Sequence, residues 1–188
     1  MTRCERLCRV GRTLGGSVLQ VVPLNLLEGQ PWSECRRKLG RRLREIADLA
    51  RDFGLLLGLE PVAFSNFHLI SQAHEVLEEA GRDNIGLVLD TFHLWAGGTP
   101  WEDVAAVDPR RIVCAHISDA LERKQRQWSD ADRAVLPGDG ILPLKEGIDA
   151  IMATGFDGIW SVEMFSPYHW EWEPLALACE LKRRCEQL

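Results

Sequence analysis

Short apolar runs alternate along this chain with longer stretches in which apolar residues return every third or fourth position. The runs lie at 18–22, 55–59, 85–89, 112–115 and 159–162, set off by polar residues, glycine or proline. Runs of this length and apolarity predict strands buried on both faces, as in a parallel sheet. Between them, residues 33–53 put Leu39, Leu43, Ile46, Ala50 and Phe53 on one helical stripe, with Gly54 as the stop. Residues 68–80 group Leu69, Ala73, Val76, Leu77 and Ala80, and Gly81 follows. Pro143 suits the first turn of a helix that carries Ile148, Ile151 and Met152 and ends before Gly155. A helix over 3–14 opens the chain, and a last one runs from Pro174 into the tail.

Strands alternating with helices predict βαβ units, an α/β fold and a parallel sheet, either open and doubly wound or closed into a barrel. No glycine-rich phosphate cradle of either common pattern follows any run. Nothing resembles a linker or low-complexity segment, so residues 1–188 read as a single domain.

What ends the strands is more telling. The run at 55–59 leads into Glu60, 85–89 into Asp90, 112–115 into His116 and 159–162 into Glu163. In a (β/α)8 barrel the C-terminal strand ends point into the active site, so these four side chains would converge there. Any one of them alone could be a helix N-cap or a salt-bridge partner. Three carboxylates and an imidazole together make an oxygen-rich site suited to Mn2+, Mg2+ or Co2+.

Composition narrows the partners. With 46% hydrophobic and 27% charged residues the chain is an ordinary globular one, and a net charge of −6 argues against nucleic acid or an anionic membrane as partner. Arg36, Arg37, Lys38, Arg41 and Arg42 read as the solvated face of a helix. No apolar run approaches the roughly 18 residues that cross a bilayer, and the charged N-terminus is not a secretory signal. The six cysteines are scattered; Cys4 and Cys8 would share a helix face, but reduced thiols in a cytoplasmic protein are the expectation.

At the strand ends the sequence resembles the xylose isomerase-like barrel superfamily, which includes sugar phosphate isomerases, tagatose and psicose epimerases, hydroxypyruvate isomerases, and inosose dehydratases and isomerases. The matching stretches are LEP at 59–61, GLVLDTFHL at 86–94, AHISD at 115–119, LPGDG at 136–140 and WSVEMF at 160–165. The resemblance implies that Glu60, Asp90, His116 and Glu163 bind the metal, Mn2+ foremost, with Mg2+, Co2+ or Zn2+ as alternatives. It makes Glu60 and Glu163 the acid–base pair, His93 a substrate ligand and Arg133 the substrate-binding arginine, with Arg123 and Arg126 as rivals on the same loop. The implied substrate is a sugar or an inosose, and the implied assembly a homo-oligomer. The implied reaction removes a proton α to a carbonyl; a divalent metal polarises the carbonyl and stabilises the enediolate, and two carboxylates take and return the proton. Dehydration of an inosose begins with the same step, so a lyase is the alternative within enzymes. Trp95 and Phe165 are candidates for an apolar wall, and Trp170 and Trp172 for the substrate mouth or an interface.

Two features qualify the match. Such barrels need about 250 residues and eight strands, whereas five strands are visible here. The expected fold is therefore a partial (β/α)8 TIM barrel, about the last five βα units, with roughly three N-terminal units lacking. A fragment, a product completed by another chain, or an inactive partner module would each account for this. Asn66 also stands where some epimerases carry a second carboxylate, which points away from the tagatose type. A zinc-dependent DNA-repair nuclease of the same superfamily would need more than the five histidines present.

Overall fold

All five apolar runs become strands: β1 (Val18–Val21), β2 (Leu56–Leu59), β3 (Ile85–Asp90), β4 (Ile112–Ile117) and β5 (Trp160–Val162). The structure is a computed structural model and describes residues 2–24, 29–122 and 127–188. The sheet is parallel throughout, in the order β1-β2-β3-β4-β5. Its sequential order matches successive right-handed βα units, the connection a twisted strand feeding a helix favours. Val18 and Gln20 of β1, Cys114 and His116 of β4, and Ile159 beside β5 line one hollow, so the sheet curls into a half-barrel.

The helices are α1 (Arg3–Thr13), α2 (Trp32–Asp52), α3 (Ile70–Ala80), α4 (Thr91–Gly97), α5 (Trp101–Ala105), α6 (Leu144–Ala153), α7 (Pro167–Trp170) and α8 (Pro174–Cys185), and α2 to α6 form the layer whose side chains pack on the sheet. The main core lies between this layer and the sheet. There Leu43 and Ala47 of α2 and Ala73, Val76 and Leu77 of α3 meet Leu57, Leu59, Leu87 and Leu89 of the strands. Burying each large aliphatic side chain stabilises by about 1.5–3 kcal/mol. Gly81 ends α3 in the left-handed region, at φ 59°, as its place after the apolar stripe predicts. Cys8 is buried against Ala50 and Leu55 in a separate small cluster, while Cys4 is half-buried.

Three expectations need correction. Met152 is 60% exposed, because the α6 stripe runs through Leu144, Gly147, Ile148 and Ile151 and places Met152 about 100° beyond Ile151 on the wheel. Leu56 and Ile159 are not buried on both faces: they are 42% and 60% exposed, since their side of the sheet is the open hollow. The short helices α4, α5 and α7 are too brief to show a period in sequence. Among the described residues no helix is long and apolar enough to cross a membrane.

One irregularity decides what the hollow contains. Leu87 pairs with Ile112, but Val88 pairs with Cys114, so Val113 is an extra residue in β4. Without this bulge the two-residue side-chain period would turn His116 toward the helices. With it, Ala115 stays in the core while Asp90 and His116 pair and share the hollow.

Candidate metal centre at the strand ends

Glu60 leaves β2, Asp90 ends β3, His116 lies in β4 and Glu163 follows β5, so four neighbouring strands each deliver one polar side chain to the same end of the sheet. One ligand atom from each lies within 4.8 Å of all the others. His116 Nδ1 is 3.2 Å from Glu163 Oε2, 3.5 Å from Glu60 Oε1 and 3.8 Å from Asp90 Oδ2. Asp90 also caps α4, its Oδ1 accepting from the His93 backbone N–H at 2.9 Å. The carboxylate is thus a helix cap with one oxygen and a site residue with the other.

His93 and Arg133 join the four. Arg133, at the end of the 3-10 turn Asp130–Arg133, is only 2% exposed. Its Nη2 donates to Asp90 Oδ2 at 2.9 Å and to Glu163 Oε2 at 2.8 Å, and its Nε to Ser118 Oγ at 2.9 Å. The guanidinium lies between the Phe92 and Phe165 rings, 5.2 and 4.9 Å from their centroids. His93 Nε2 is 3.2 Å from Arg133 Nη1, and Nδ1 is 3.3 Å from the Ala63 backbone N–H. Burial and the Arg133 charge push the His93 pKa down to about 3. The ring is therefore neutral and accepts at one nitrogen only.

The electrostatics favour a cation among the four. Burial would lower the His116 pKa, yet Cys114, Glu163, Glu60 and Asp90 override it and push it up to about 12. His116 and Arg133 hold the Glu163 carboxyl down to about 2 against its burial. Asp90, wholly buried, is raised to about 7 by desolvation, opposed by Arg133 and reinforced by Glu60 and Glu163. A divalent ion also fits the hydrogen bonding, because Glu60 Oε1 and His116 Nδ1 are buried with no hydrogen-bond partner. Leaving two such groups unsatisfied is costly, and the oxygen–nitrogen donor set suits a divalent ion.

Beside the four, an open cleft is lined by Val22, Val62, Phe64, His93, Arg133 and Phe165, with Gln20 and Asp130 at its polar edge. Phe165 thus forms part of the apolar wall. Trp95 packs edge-on to Trp128, and Trp172 packs on His169 and Tyr168, so neither lines the cleft; Trp170 is 59% exposed. Asn66 is exposed away from the cleft. Arg123 and Arg126 lie outside the described residues.

Sequence reasoning missed Gln20, Ser118, Asp119 and Asp130. Ser118 bridges the Arg133 guanidinium to the Glu163 carbonyl. Asp119 accepts from the backbone N–H groups of Gly138, Gly140 and Leu142, and a Cβ on Gly140 would overlap its carboxylate. Asp130 accepts from Arg133 at 3.2 Å. Gln20 carried a signal, as a polar residue inside an apolar run.

The chain matches the family model of the xylose isomerase-like TIM barrel over residues 1–183. It is 32% identical over 162 residues to an inosose isomerase of Bacillus velezensis, and 31% identical over 173 residues to that of Bacillus subtilis. These alignments cover 85% and 91% of this chain but 58% and 62% of the two relatives, so the chain spans about six tenths of the length of the curated relatives it matches. The crystal structure of the IolI protein with a bound zinc atom superposes with a TM-score of 0.88 at 29% identity, over 97% of this chain and 66% of that one.

Proposed function

The chain belongs to the xylose isomerase-like TIM barrel family, and on that premise we propose that it carries the catalytic end of a divalent-metal-dependent isomerase or epimerase acting on a sugar or inosose. The observation that carries this is the convergence of Glu60, Asp90, His116 and Glu163 within 4.8 Å, with Glu60 Oε1 and His116 Nδ1 buried without a hydrogen-bond partner. The likeness to inosose isomerases and to a zinc-bound structure supports an inosose-type ketone as substrate and a divalent metal as cofactor. Mn2+ is the ion we favour, from the predominance of carboxylate ligands.

The four residues would hold the ion, which when bound supplies positive charge beside the substrate carbonyl. The chain's own groups do the rest. Glu60 and Glu163 come from β2 and β5, with β3 and β4 between them, and serve as the two carboxylates that take and return the carbon-bound proton. Neutral His93 offers a hydrogen bond to a substrate oxygen without adding charge. Arg133, part of the cleft wall, holds Asp90 and Glu163 in place. Phe64, Val62 and Phe165 shield the reacting carbon from water.

Metal binding is the first test. Mn2+ in about hundredfold excess over its Kd should stabilise by roughly 2.7 kcal/mol, a Tm rise of about 5–10 °C for a chain of this size. Glu163→Gln should lose most of that rise. A panel of ketoses and inososes, with products resolved as isomer, epimer or dehydrated ketone, then separates isomerase from lyase. A melt insensitive to Mn2+, Mg2+, Co2+ and Zn2+ would overturn the metal-dependent reading.

A further inference from the structure

The carboxylates of the centre are not all anchored alike. Asp90 is held by the His93 backbone N–H and by Arg133, and Glu163 by Arg133 and by His116 at 3.2 Å. Arg133 does not reach Glu60. The side-chain hydrogen bond to Glu60 comes instead from Gln20, whose Nε2 donates to Oε2 at 2.8 Å. Gln20 sits in β1, in register with Gly58 of β2, two residues before Glu60 on the same face. Gly58 has no side chain to intervene, and a Cβ there would crowd Val18, Val88 and Val113. Gln20 therefore reaches diagonally across the strand pair to the carboxylate.

Resting on the metal-dependent reading above, we propose that Gln20 is a positioning residue for Glu60: its amide holds Oε2 so that Oε1 is presented to the metal beside His116 Nδ1. A polar side chain on an edge strand is ordinarily a solvated one. Here the amide is spent on a carboxylate that is only 3% exposed. The partner is also neutral, so it orients Glu60 without adding charge, whereas Glu163 and Asp90 share the single charge of the Arg133 guanidinium. Partners that orient metal ligands in this way typically contribute 10–100-fold in metal affinity. Loss of Gln20 would remove the side-chain hydrogen bond to Glu60 Oε2 and leave His116, 3.5 Å from Oε1, as the side-chain donor nearest the carboxylate among the described residues.

The test measures Mn2+ binding by the whole chain, by calorimetry and by the paramagnetic resonance spectrum of the bound ion, together with the metal-free melt. Gln20→Met keeps the length and removes the donor; Gln20→Asn keeps an amide that is one methylene too short. Both should weaken Mn2+ binding by roughly tenfold or more and alter the resonance line shape, beyond whatever fall in the metal-free Tm the lost hydrogen bond to a buried carboxylate brings. A purely structural role on the strand edge would move the melt and leave the affinity alone. A folded variant that binds Mn2+ as tightly as wild type overturns the proposal, and Gln20→Asn decides if Gln20→Met does not fold. Wild-type chain that binds no Mn2+, no better than Glu163→Gln, overturns the metal-dependent reading itself.

Discussion

Arg133 carries more at the residue scale than its place in the motif conveys. As a sequence it is an arginine four residues before a P-G-D-G loop, assigned to substrate by resemblance. In the fold it is a 2% exposed cation that balances Asp90 and Glu163 and lies between two aromatic rings. A buried cation of this kind is strongly coupled to its partners, and breaking one side of such a pair costs about 3–5 kcal/mol. Arg133→Met should therefore lower metal-free stability by about that much in urea melts, and saturating Mn2+ should restore part of it by supplying the missing charge. A loss no larger than that of an exposed arginine would mean the guanidinium does not balance the two carboxylates. Gln20 and Arg133 illustrate the same limit. Arg133 was named through the resemblance and Gln20 not at all, and which carboxylate each one serves depends on strands far apart in sequence.

At the element scale, the P-G-D-G loop is held from two sides. Asp119, just past β4, accepts three backbone N–H groups of the segment 138–142. From α8, Arg184 donates to the Pro137 carbonyl at 3.2 Å and to Asp139 at 2.5 Å. Gly140→Ala should destabilise by about 1–3 kcal/mol through overlap with the Asp119 carboxylate, measured as a fall in urea midpoint. An unchanged midpoint would show that the loop can shift at little cost. Glu180 anchors Arg184 in turn, and its hydrogen bonds from Arg183 and Arg184 hold its carboxyl down to about 2. Because the folded pKa lies below the unfolded value of about 4.3, this contribution is fully present above that value and lost as pH falls toward 2. The Tm difference between wild type and Glu180→Gln should be constant near neutrality and shrink below about pH 4.5. It should be small, since the pair lies at the surface and Glu180 is only half-buried.

On the scale of the whole molecule, the half-barrel leaves an open hollow and two strands with a single neighbour each, β1 and β5. Leu56 and Ile159 face that hollow at 42% and 60% exposure, and Leu14 just past α1 and Leu175 on α8 are 79% and 69% exposed. Single-neighbour strands and apolar patches of this kind invite association. The 188-residue chain should sediment above its 21.2 kDa mass as concentration rises, and Leu56→Lys with Ile159→Lys should shift it back. A monomer at every concentration would show that water tolerates the open face.

The sequence by itself determined the strands, the long helices and the identity of the four convergent side chains. Those signals are local: apolar runs, a helical period, stopping glycines, and a polar residue placed directly after four of the five runs. Only the tertiary structure decided the phase of His116, which depends on one extra residue in β4 that no period in the run 112–115 reveals. It alone also decided that Gln20 serves Glu60 while Arg133 serves Asp90 and Glu163, and that Met152, Leu56 and Ile159 face solvent. The physical reason is the same in each case. Side-chain direction and burial are set by register and by what covers a face, and both belong to pairs of elements rather than to any single stretch of chain.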